Sequence, residues 1–365
     1  MINNTFFSGS YQQDEVQFLL KPITLPTLSI ADKEQLIQSG QKHYSQLLSA
    51  ETVPSAEYLR LFYHAMSANK QRVAKDLLVL ARKIIATRPD DITLVSLARA
   101  GTPIGVLLKT ILTKLFKKTV RHYSLSIIRD IGIDQNALHF ITQHHAINSL
   151  VFVDGWTGKG VIANELTASL ANYATLTQQI IPAELYVLTD LSGHAHISAS
   201  TEDYLIPSCL LNATVSGLIS RSVYDQAWCA DDDFHGCVYY EHFQANDLSR
   251  YFIDEIYASC EALGAFSQQR VVLTTATQQQ HRPAHECLQH LAEQFAINNY
   301  HYIKPGIGEA TRVLLRREAQ ALILQDSHSP DTAHLRYLAE TRAIPLFINP
   351  KLPYQAVAII KNVVS

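Results

Sequence analysis

The feature that most constrains the fold is an alternation of short apolar runs with amphipathic stretches between residues 92 and 188. Four apolar runs of strand length lie at residues 92–97, 123–128, 150–153 and 185–188. After the first run, apolar side chains recur at helical spacing, at Ile104, Leu107, Leu108, Ile111, Leu112 and Leu115. This alternation is typical of an α/β fold whose parallel sheet is covered on both faces. Such a sheet binds its ligands at the carboxyl ends of its strands.

The sequence on either side of this region predicts three parts of the chain. Residues 1–88 form an N-terminal helical region, with helices at 31–48 and 55–87. Residues 89–268 form the α/β domain, in which 191–268 lack a sustained period and are interpreted as a hood or insertion. Residues 269–365 form a second, small α/β/α domain. Its predicted elements are strands at 271–275, 301–303, 321–324 and 344–348, helices at 285–295, 308–317 and 331–340, and a last short helix.

One loop carries the strongest functional signal, because the strand ending in Asp154 runs into a glycine-rich turn and then a helix. Three glycines lie in this loop: Gly155, Gly158 and Gly160. Their flexible backbone lets N–H groups point inward, and the helix N-terminus adds its positive end, so the loop is suited to a phosphate. Thr157 adds a hydroxyl donor and Lys159 a positive charge. The alternative is a tight turn without a ligand, which needs only one glycine. The spacing of a Walker A loop is absent.

A second loop has the same position after the preceding strand. It contains Arg99, Ala100 and Gly101, followed by Pro103 in the first turn of a helix. The guanidinium of Arg99 offers a fork of donors suited to a second phosphate. Glycine and proline mark most loops, so this signal is weak alone. Together, the two loops predict a ligand with two phosphate groups.

These two loops resemble the pyrophosphate loop and the ribose-5-phosphate loop of type I phosphoribosyltransferases. The resemblance implies such a fold for residues 89–268 and Mg²⁺ bound with phosphoribosyl diphosphate. It assigns the pyrophosphate loop to residues 99–101, the phosphate loop to residues 157–160, ribose binding to Asp154 and a mobile-loop role to Arg129. The sequence departs from the family at Gly155, where a second acid is usual. Two classes therefore stay open: a transferase, and a non-catalytic nucleotide or RNA sensor that kept the fold.

Five longer motifs resemble one bacterial family, the StiP family. They are SLARAGTPIG at 96–105, HYSLSIIR at 122–129, FVDGWTGKG at 152–160, DYLIPS at 203–208 and DFHG at 233–236. Members are named cysteine protease but are also described as phosphoribosyltransferase-like. They are associated with tellurite-resistance and stress gene clusters. The resemblance implies a role in making or salvaging a nucleoside-like metabolite.

The protease name requires a cysteine with a base in reach and a lowered pKa. Cys237 is the best candidate, because His235 lies two residues away. Residues at that spacing do not usually face each other, however, and no protease signature surrounds them. The chain has five cysteines and no C-x-x-C pair, so neither a disulfide framework nor a zinc site is predicted. The acids at 231–233, with His235 and Glu241, suggest a solvated loop more strongly than a metal site.

The C-terminal region resembles the Pelota-type RNA-binding domain. Its helix start matches that family at four positions, Gly306, Gly308, Glu309 and Arg312. Arg316 lies one turn beyond Arg312, so the two arginines share a helix face and form a small anion site with the helix N-terminus. The resemblance implies binding of structured RNA. The alternative is a solvated helix that begins with a glycine turn.

Composition narrows the remaining possibilities. The chain is 47% hydrophobic and 17% charged, which is typical of a globular protein, and its net charge of −3 argues against non-specific nucleic-acid binding. Residues 1–12 lack the pattern of a signal peptide, and no run of about 20 apolar residues is present. We therefore expect a cytoplasmic protein without membrane contact. The acceptor base is not encoded in a readable pattern, and homo-oligomer formation stays open.

Overall fold

The computed structural model describes residues 6–264 and 281–363. Its helices are α1 (Ile30–Gln38), α2 (Ala56–Thr87), α3 (Gly101–Lys114), α4 (Gln135–His144), α5 (Val161–Thr177), α6 (Ser249–Gly264), α7 (His281–Gln294), α8 (Ile307–Arg316) and α9 (Ala333–Thr341). The strands in the first half are β1 (Gln17–Leu19), β2 (Lys21–Pro22), β3 (Thr27–Leu28), β4 (Leu48–Ser49), β5 (Ile92–Leu97), β6 (Val120–Leu125), β7 (Ile127–Ile128) and β8 (Gly132–Ile133). The others are β9 (Leu150–Thr157), β10 (Leu185–Asp190), β11 (Ile197–Ser200), β12 (Gly236–Cys237), β13 (Ile303–Pro305), β14 (Ala319–Leu324), β15 (Leu346–Ile348) and β16 (Ala356–Ile360).

The larger sheet confirms the predicted α/β class. Its six strands have the order β1-β6-β5-β9-β10-β11, and every neighbouring pair is parallel. Strands β5 and β10 are buried along their whole length, and β9 at every residue except the half-buried Trp156, because helices cover both faces of the sheet. The neighbours β5 and β9 therefore bring their two following loops to the same edge of the sheet.

The N-terminal region is more closely joined to this sheet than the prediction of a helical region suggests. Strand β1 pairs with β6 at the edge of the sheet, and α2 packs against α6 and β11. The helix expected at 31–48 is also too long. It ends at Gln38, and Gly40 follows with a φ of +73°, a left-handed conformation that suits glycine. A 3₁₀ turn (Tyr44–Gln46) and β4 take up the remaining residues.

The smaller sheet has the order β13-β16-β14-β15 and is mixed, with only β14 and β15 parallel. The last short helix predicted from sequence is wrong: residues 356–360 form β16, an inner strand of this sheet. Its five residues are all buried, and so short an apolar run fits a strand covered on both faces better than a helix. The strand predicted at 271–275 lies outside the described residues.

A continuous apolar cluster connects the two sheets. It includes buried side chains of α2 and α3 together with Ile307, Leu314 and Leu335 from the C-terminal region. The segment interpreted as a hood first contributes β11 to the larger sheet and then has little regular structure before α6. It contains short 3₁₀ turns at Pro207–Cys209, Ala213–Val215 and Glu241–Asn246. The first two of these turns lie over the carboxyl edge of the larger sheet, beside the two glycine loops.

Candidate functional site

The loops after β5 and β9 meet at the carboxyl edge of the larger sheet. A Cβ atom on Gly101 would lie 2.4 Å from the carbonyl oxygen of Val153, so only glycine allows this close approach. Ala100 precedes α3 and lines the cavity between the loops. Gly155 differs from Gly101, because an added Cβ would meet only the oxygen of Ala100, at 3.7 Å. Gly155 thus leaves open space beside Asp154 without being required by the packing.

A cavity of about 170 Å³ lies between these loops and the hood; we call it the central cavity. Its polar lining combines one carboxylate with several cations: Arg99, Asp154, Asn212, Arg221, Arg312 and Arg316. Apolar groups, including Ile127, Ile162 and Val215, complete the wall. A cavity with few polar groups converging from several elements is typical of a small-molecule site.

Asp154 is the acid of the central cavity. The residue is 9% exposed, and its carboxylate accepts one hydrogen bond, from the backbone N–H of Gly155 at 2.7 Å. Burial raises the pKa of Asp154 to about 6, and the nearby Arg312 opposes this shift. Asp154 and Trp156 also line the next cavity, so they mark the junction between the two.

This next cavity is the glycine-loop cleft, of about 490 Å³, between residues 157–160 and the C-terminal region. Its lining carries Arg129, Lys159, His301, Lys304, Arg312 and Arg317. The ammonium of Lys159 donates to the carbonyl oxygen of Tyr300 at 2.6 Å. Burial, and then repulsion by Lys304, lower the pKa of Lys159 to about 7. Burial lowers the pKa of Lys304 as well. An anion in the cleft would relieve this repulsion.

Two other residues of the predicted phosphate loop have structural partners. The hydroxyl of Thr157 donates to Asp190 at 2.5 Å, and Gly158 packs against the carbonyl oxygen of Pro305. Gly160 has a φ of +75°, and a Cβ there would overlap the ring of His194. Thr157 is therefore not a free donor, whereas Lys159 faces the cleft.

Arg99 does not present the open fork that its loop position predicts. One guanidinium nitrogen pairs with Glu51 at 2.6 Å, and another donates to the carbonyl oxygen of Ile219 at 2.7 Å. The Nε of Arg99 is buried without a partner. The peptide bond before Arg99 is cis. Arg99, which was predicted to bind the pyrophosphate, is therefore already paired with the carboxylate of Glu51 from the N-terminal segment.

Arg129 lies at the turn between β7 and β8 and lines the glycine-loop cleft. It pairs with Asp130 at 2.7 Å, and its guanidinium lies 5.1 Å from the ring centroid of Tyr44. The Tyr44 hydroxyl accepts the backbone N–H of Arg129 at 2.8 Å. Tyr44 therefore ties this turn to the N-terminal region.

Three of the residues predicted to contact RNA line the two cavities: Glu309, Arg312 and Arg316. The guanidinium of Arg312 lies 4.5 Å from the ring centroid of Trp156 and pairs with Glu309 at 2.7 Å. A Cβ on Gly308 would lie 2.4 Å from the same indole. Arg316 donates to the side-chain oxygen of Asn212 in the hood. Helix α8 thus forms a wall of the site built by the larger sheet.

Asp203, from the motif at 203–208, holds this wall in place. Its two carboxylate oxygens accept the backbone N–H groups of Ile307, at 3.0 Å, and Gln355, at 2.8 Å. Burial raises its pKa to about 6. Gly306 adopts a φ of +89° beside it, packed against Leu191. The motif therefore joins the hood to the C-terminal region.

The structure does not support the cysteine protease alternative, which requires a reactive thiolate next to a base. Cys237 is fully buried, and burial raises its pKa. The ring of His235 hydrogen-bonds the hydroxyl of Ser126 at 2.8 Å instead. Cys209 lines the central cavity, but burial raises its pKa to about 12. Throughout the described ranges no cysteine hydrogen-bonds a histidine, whereas a nucleophilic cysteine needs a lowered pKa and a base.

Two further findings concern metals and membranes. Within residues 6–264 and 281–363, no group of three or more His, Cys, Asp or Glu side chains is arranged to hold a metal ion. In the acidic loop at 231–233, Asp233 pairs with Lys21 at 2.5 Å. None of the helices in the described part of the chain is long and apolar enough to cross a membrane.

Sequence reasoning missed several residues of the site. They are Tyr44, Glu51, Trp156, Asp190, Arg221 and Lys304. Trp156 lies inside the loop that was recognised, and an exposed-loop tryptophan is a signal that it packs against something. Tyr44 lies in a predicted helix, Asp190 and Lys304 follow predicted strands, and Glu51 and Arg221 lie in segments without a pattern. Only the tertiary fold brings these five residues to the site.

Comparison with known proteins identifies the family. A curated relative from Acinetobacter baylyi, named cysteine protease StiP, is 41% identical over 98% of this chain and 94% of its own length. Residues 282–362 match the model of the PELOTA RNA binding domain.

Solved structures with weaker similarity include the hypoxanthine phosphoribosyltransferase of Trypanosoma cruzi. It is 15% identical, with a TM-score of 0.28, and the match covers 39% of this chain and 82% of that one. An alanine mutant from a study of an invariant aspartic acid in HPRTs is 14% identical, with the same TM-score, over 37% and 81% of the two chains. Similarity at this level assigns neither fold nor function. Residues 9–257 match the family model described as tellurite-like stress resistance cysteine protease StiP, and the chain belongs to this StiP family.

Proposed function

We propose that this protein binds phosphoribosyl diphosphate or a nucleotide and acts as a phosphoribosyltransferase-type enzyme. The reaction would form or salvage a nucleoside-like metabolite linked to the stress response. One observation carries the proposal: the buried acid Asp154 lies at the junction of two cavities, and each of them is lined by several cations. A ribose that carries phosphate groups on both sides matches this arrangement, because its hydroxyls would meet the acid and its phosphates would meet the cations.

The ligand would lie along this junction. Its ribose hydroxyls would donate to Asp154, which accepts only one hydrogen bond from the protein among those described. The single phosphate would lie in the glycine-loop cleft beside Lys159 and the N-terminus of α5. The diphosphate would lie in the central cavity, where Arg312 and Arg316 face it. In this arrangement the two arginines take the role that sequence assigned to Arg99.

The chemistry would be a displacement at the anomeric carbon of the ribose. The bond from that carbon to the diphosphate oxygen breaks, and a bond to an acceptor nitrogen forms. Arg312 and Arg316 would stabilise the negative charge that develops on the leaving diphosphate. The hood would exclude water from the central cavity, and Asp154 would orient the ribose. The positions of Asp154, Arg312 and Arg316 in the cavity lining support these roles.

A magnesium ion fits this arrangement with one protein ligand. Mg²⁺ usually keeps several waters and binds through one or two carboxylates together with substrate phosphates. Asp154 is the acid that lines the central cavity among the described residues, so it would hold the ion. When bound with the diphosphate, the ion would neutralise charge on the leaving group.

RNA binding by the C-terminal region is a second proposal, supported by its family-model match. Arg312 and Arg316 face the two cavities, so RNA would have to use another face of this region or displace the ligand. The protease name has less support from the geometry, because burial raises the pKa of all five cysteines.

The enzyme and sensor alternatives separate in an assay of diphosphate release. The protein would be incubated with phosphoribosyl diphosphate, Mg²⁺ and a panel of bases. We expect release above the spontaneous rate, lost in Asp154→Asn and retained in Cys237→Ala. Tight binding without release for any base would identify a sensor. Release that depends on Cys237 and not on Asp154 would contradict the proposal.

A further inference from the structure

A third cavity, of about 120 Å³, lies beside the central cavity and has no role in the proposed reaction; we call it the inner cavity. The N-terminal segment at residues 48–54, the hood and the end of α8 enclose it. Its common wall with the central cavity consists of Arg99, Leu211, Asn212, Arg221 and Arg316. Asp154 lines the central cavity and not the inner one.

The inner cavity has an excess of positive charge. Among the described residues that line it, five are cations and one is a carboxylate: Lys33, Arg99, Arg221, Arg316, Arg342 and Glu51. Glu51 is already engaged, because it pairs with Arg99 and accepts the backbone N–H of Ala213 at 3.0 Å. Lys33, Arg221 and Arg316 form no salt bridge among the described residues, and Arg342 is exposed. The guanidinium of Arg221 donates to the backbone carbonyl oxygens of Tyr44, Leu47 and Ser222, which are neutral and leave its charge without a carboxylate.

The pKa shifts of these groups agree with an excess of positive charge around the cavity. Burial, and then repulsion by Arg221, lower the pKa of Lys33 to about 7. Burial also lowers the pKa of Arg221 to about 10, and it lowers that of Arg316 well below its usual value, with repulsion by Arg99 adding to both shifts. Bringing like charges together in a partly buried site is unfavourable unless an anion joins them.

Two buried polar atoms of the lining have no partner. They are the hydroxyl of Tyr58, on a side chain that is 5% exposed, and the Nε of Arg99. Buried donors are nearly always satisfied by protein, water or ligand. Lys33 uses its ammonium to donate to Ser49 at 2.5 Å and to the carbonyl oxygen of Arg316 at 2.8 Å, which leaves one of its three donors.

We propose that the inner cavity binds an oxyanion group, a phosphate or a carboxylate, of a second ligand. Lys33, Arg221 and Arg316 would supply the positive charge, and the hydroxyl of Tyr58 would donate a hydrogen bond. This site is separate from the glycine loop and does not depend on the reaction proposed above. If that reaction occurs, the common wall places the oxyanion next to the diphosphate position, where an acidic acceptor would lie.

Glu51 competes with such a ligand, since it already presents a carboxylate to Arg99. Replacing it by glutamine keeps its size and removes its charge. Glu51→Gln is therefore expected to tighten oxyanion binding several-fold, whereas the cation and hydroxyl variants weaken it. A general loosening of the fold would weaken binding in every variant, so tighter binding in Glu51→Gln and weaker binding in the other variants would indicate a specific site.

The experiment is calorimetric titration of the full chain with inorganic phosphate and, separately, with malonate. Sodium chloride keeps the ionic strength constant. We expect at least two phosphate sites: one weakened tenfold or more by Tyr58→Phe and by Lys33→Gln, and another lost in Lys159→Met. Tyr58→Phe should melt at the same temperature as the unchanged protein or higher, because it removes an unsatisfied hydroxyl. Malonate binding with the same sensitivity to Tyr58→Phe would identify a carboxylate ligand.

The result that overturns the inference is phosphate and malonate binding unaffected by both Tyr58→Phe and Lys33→Gln. Loss of binding in Lys159→Met alone would show that the glycine-loop cleft is a site and the inner cavity is not. Binding that survives Lys159→Met but not Tyr58→Phe would support the inner cavity even if the proposed function fails.

Discussion

The ends of β9 and β10 offer a comparison, because each neighbouring strand carries a buried aspartate. Asp190 accepts hydrogen bonds from the hydroxyls of Thr157 and Ser192 and from three backbone N–H groups in the loop at 192–195. Asp154 accepts one, from Gly155. The first carboxylate is surrounded by donors of the protein, and the second faces a cavity.

This difference separates a structural acid from a functional one. Donors that surround Asp190 compensate for its burial, so it stabilises the loop that follows β10. Asp154 lacks such compensation, and its raised pKa shows the cost. A buried acid that weakens the fold and faces cations across a cavity is typical of a binding or catalytic site.

The largest expected effect concerns Asp190. Asp190→Asn removes the negative charge and replaces one accepting oxygen by an NH₂ group, which faces backbone N–H groups and cannot accept from them. Several charge-assisted hydrogen bonds are therefore weakened or lost. We expect the free energy of unfolding to fall by on the order of 4 kcal/mol. Urea denaturation monitored by circular dichroism measures this change. The exposed Asp90 provides a matched control, and Asp90→Asn should have almost no effect. Equal stability of the two variants would break the comparison.

Asp154→Asn is expected to have the opposite sign. The pKa is raised from 3.8 to about 6 in the folded protein. Stability is therefore lost as the pH rises from about 4 to about 6, and the loss persists above that range. Asparagine does not ionise and so avoids this loss. At pH 8 the free energy of unfolding of the variant should therefore exceed that of the unchanged protein by at most about 3 kcal/mol.

The pH dependence provides the control for Asp154→Asn. Below about pH 4 the carboxyl is protonated in both the folded and the unfolded chain, so the stability advantage of the variant should vanish. Denaturation series at pH 3.5 and pH 8 make the test. A variant that is less stable than the unchanged protein at pH 8 would mean that Asp154 has structural partners comparable to those of Asp190.

The smallest expected effect concerns Lys159. Because the pKa of its ammonium is about 7, it loses its charge as the pH rises, while a phosphate monoester is already fully ionised. Affinity for ribose 5-phosphate should fall about tenfold between pH 7.5 and pH 9, a change of about 1.4 kcal/mol. Lys159→Met should bind more weakly and with a flatter pH profile; Lys304 accounts for the slope that remains. An unchanged profile would remove Lys159 from the phosphate site.

Sequence predicted the parts of this molecule that depend on local patterns. The buried strands and the glycine turn before α5 follow from periodicity and turn chemistry. The strand predicted at 150–153 is too short, however: β9 continues to Thr157, so Asp154 lies within the strand and not at the start of the loop. The loop also shows the limit of that approach, because the pattern assigns both the Thr157 hydroxyl and the Lys159 charge to the phosphate. Only the neighbouring strand reveals that Thr157 belongs to Asp190.

The contacts of Arg99 and Arg312 could not be predicted from local sequence patterns. Arg99 meets Glu51 across 48 positions of sequence, and Arg312 meets Trp156 across 156. Neither pair leaves a trace in spacing or composition. The family-model match confirms the predicted resemblance of the C-terminal region to the Pelota-type domain. The orientation of helix α8, in contrast, depends on how the two sheets pack against each other.

The central claim is that Asp154 binds a ribose between two phosphate groups. Calorimetric titration with phosphoribosyl diphosphate and Mg²⁺, for the unchanged protein and for Asp154→Asn, tests it most directly. We predict one site in the unchanged protein, tighter than for ribose 5-phosphate or diphosphate alone, and at least 100-fold weaker binding in the variant, which remains folded. No binding by the unchanged protein, or equal affinity in the two proteins, would contradict the claim.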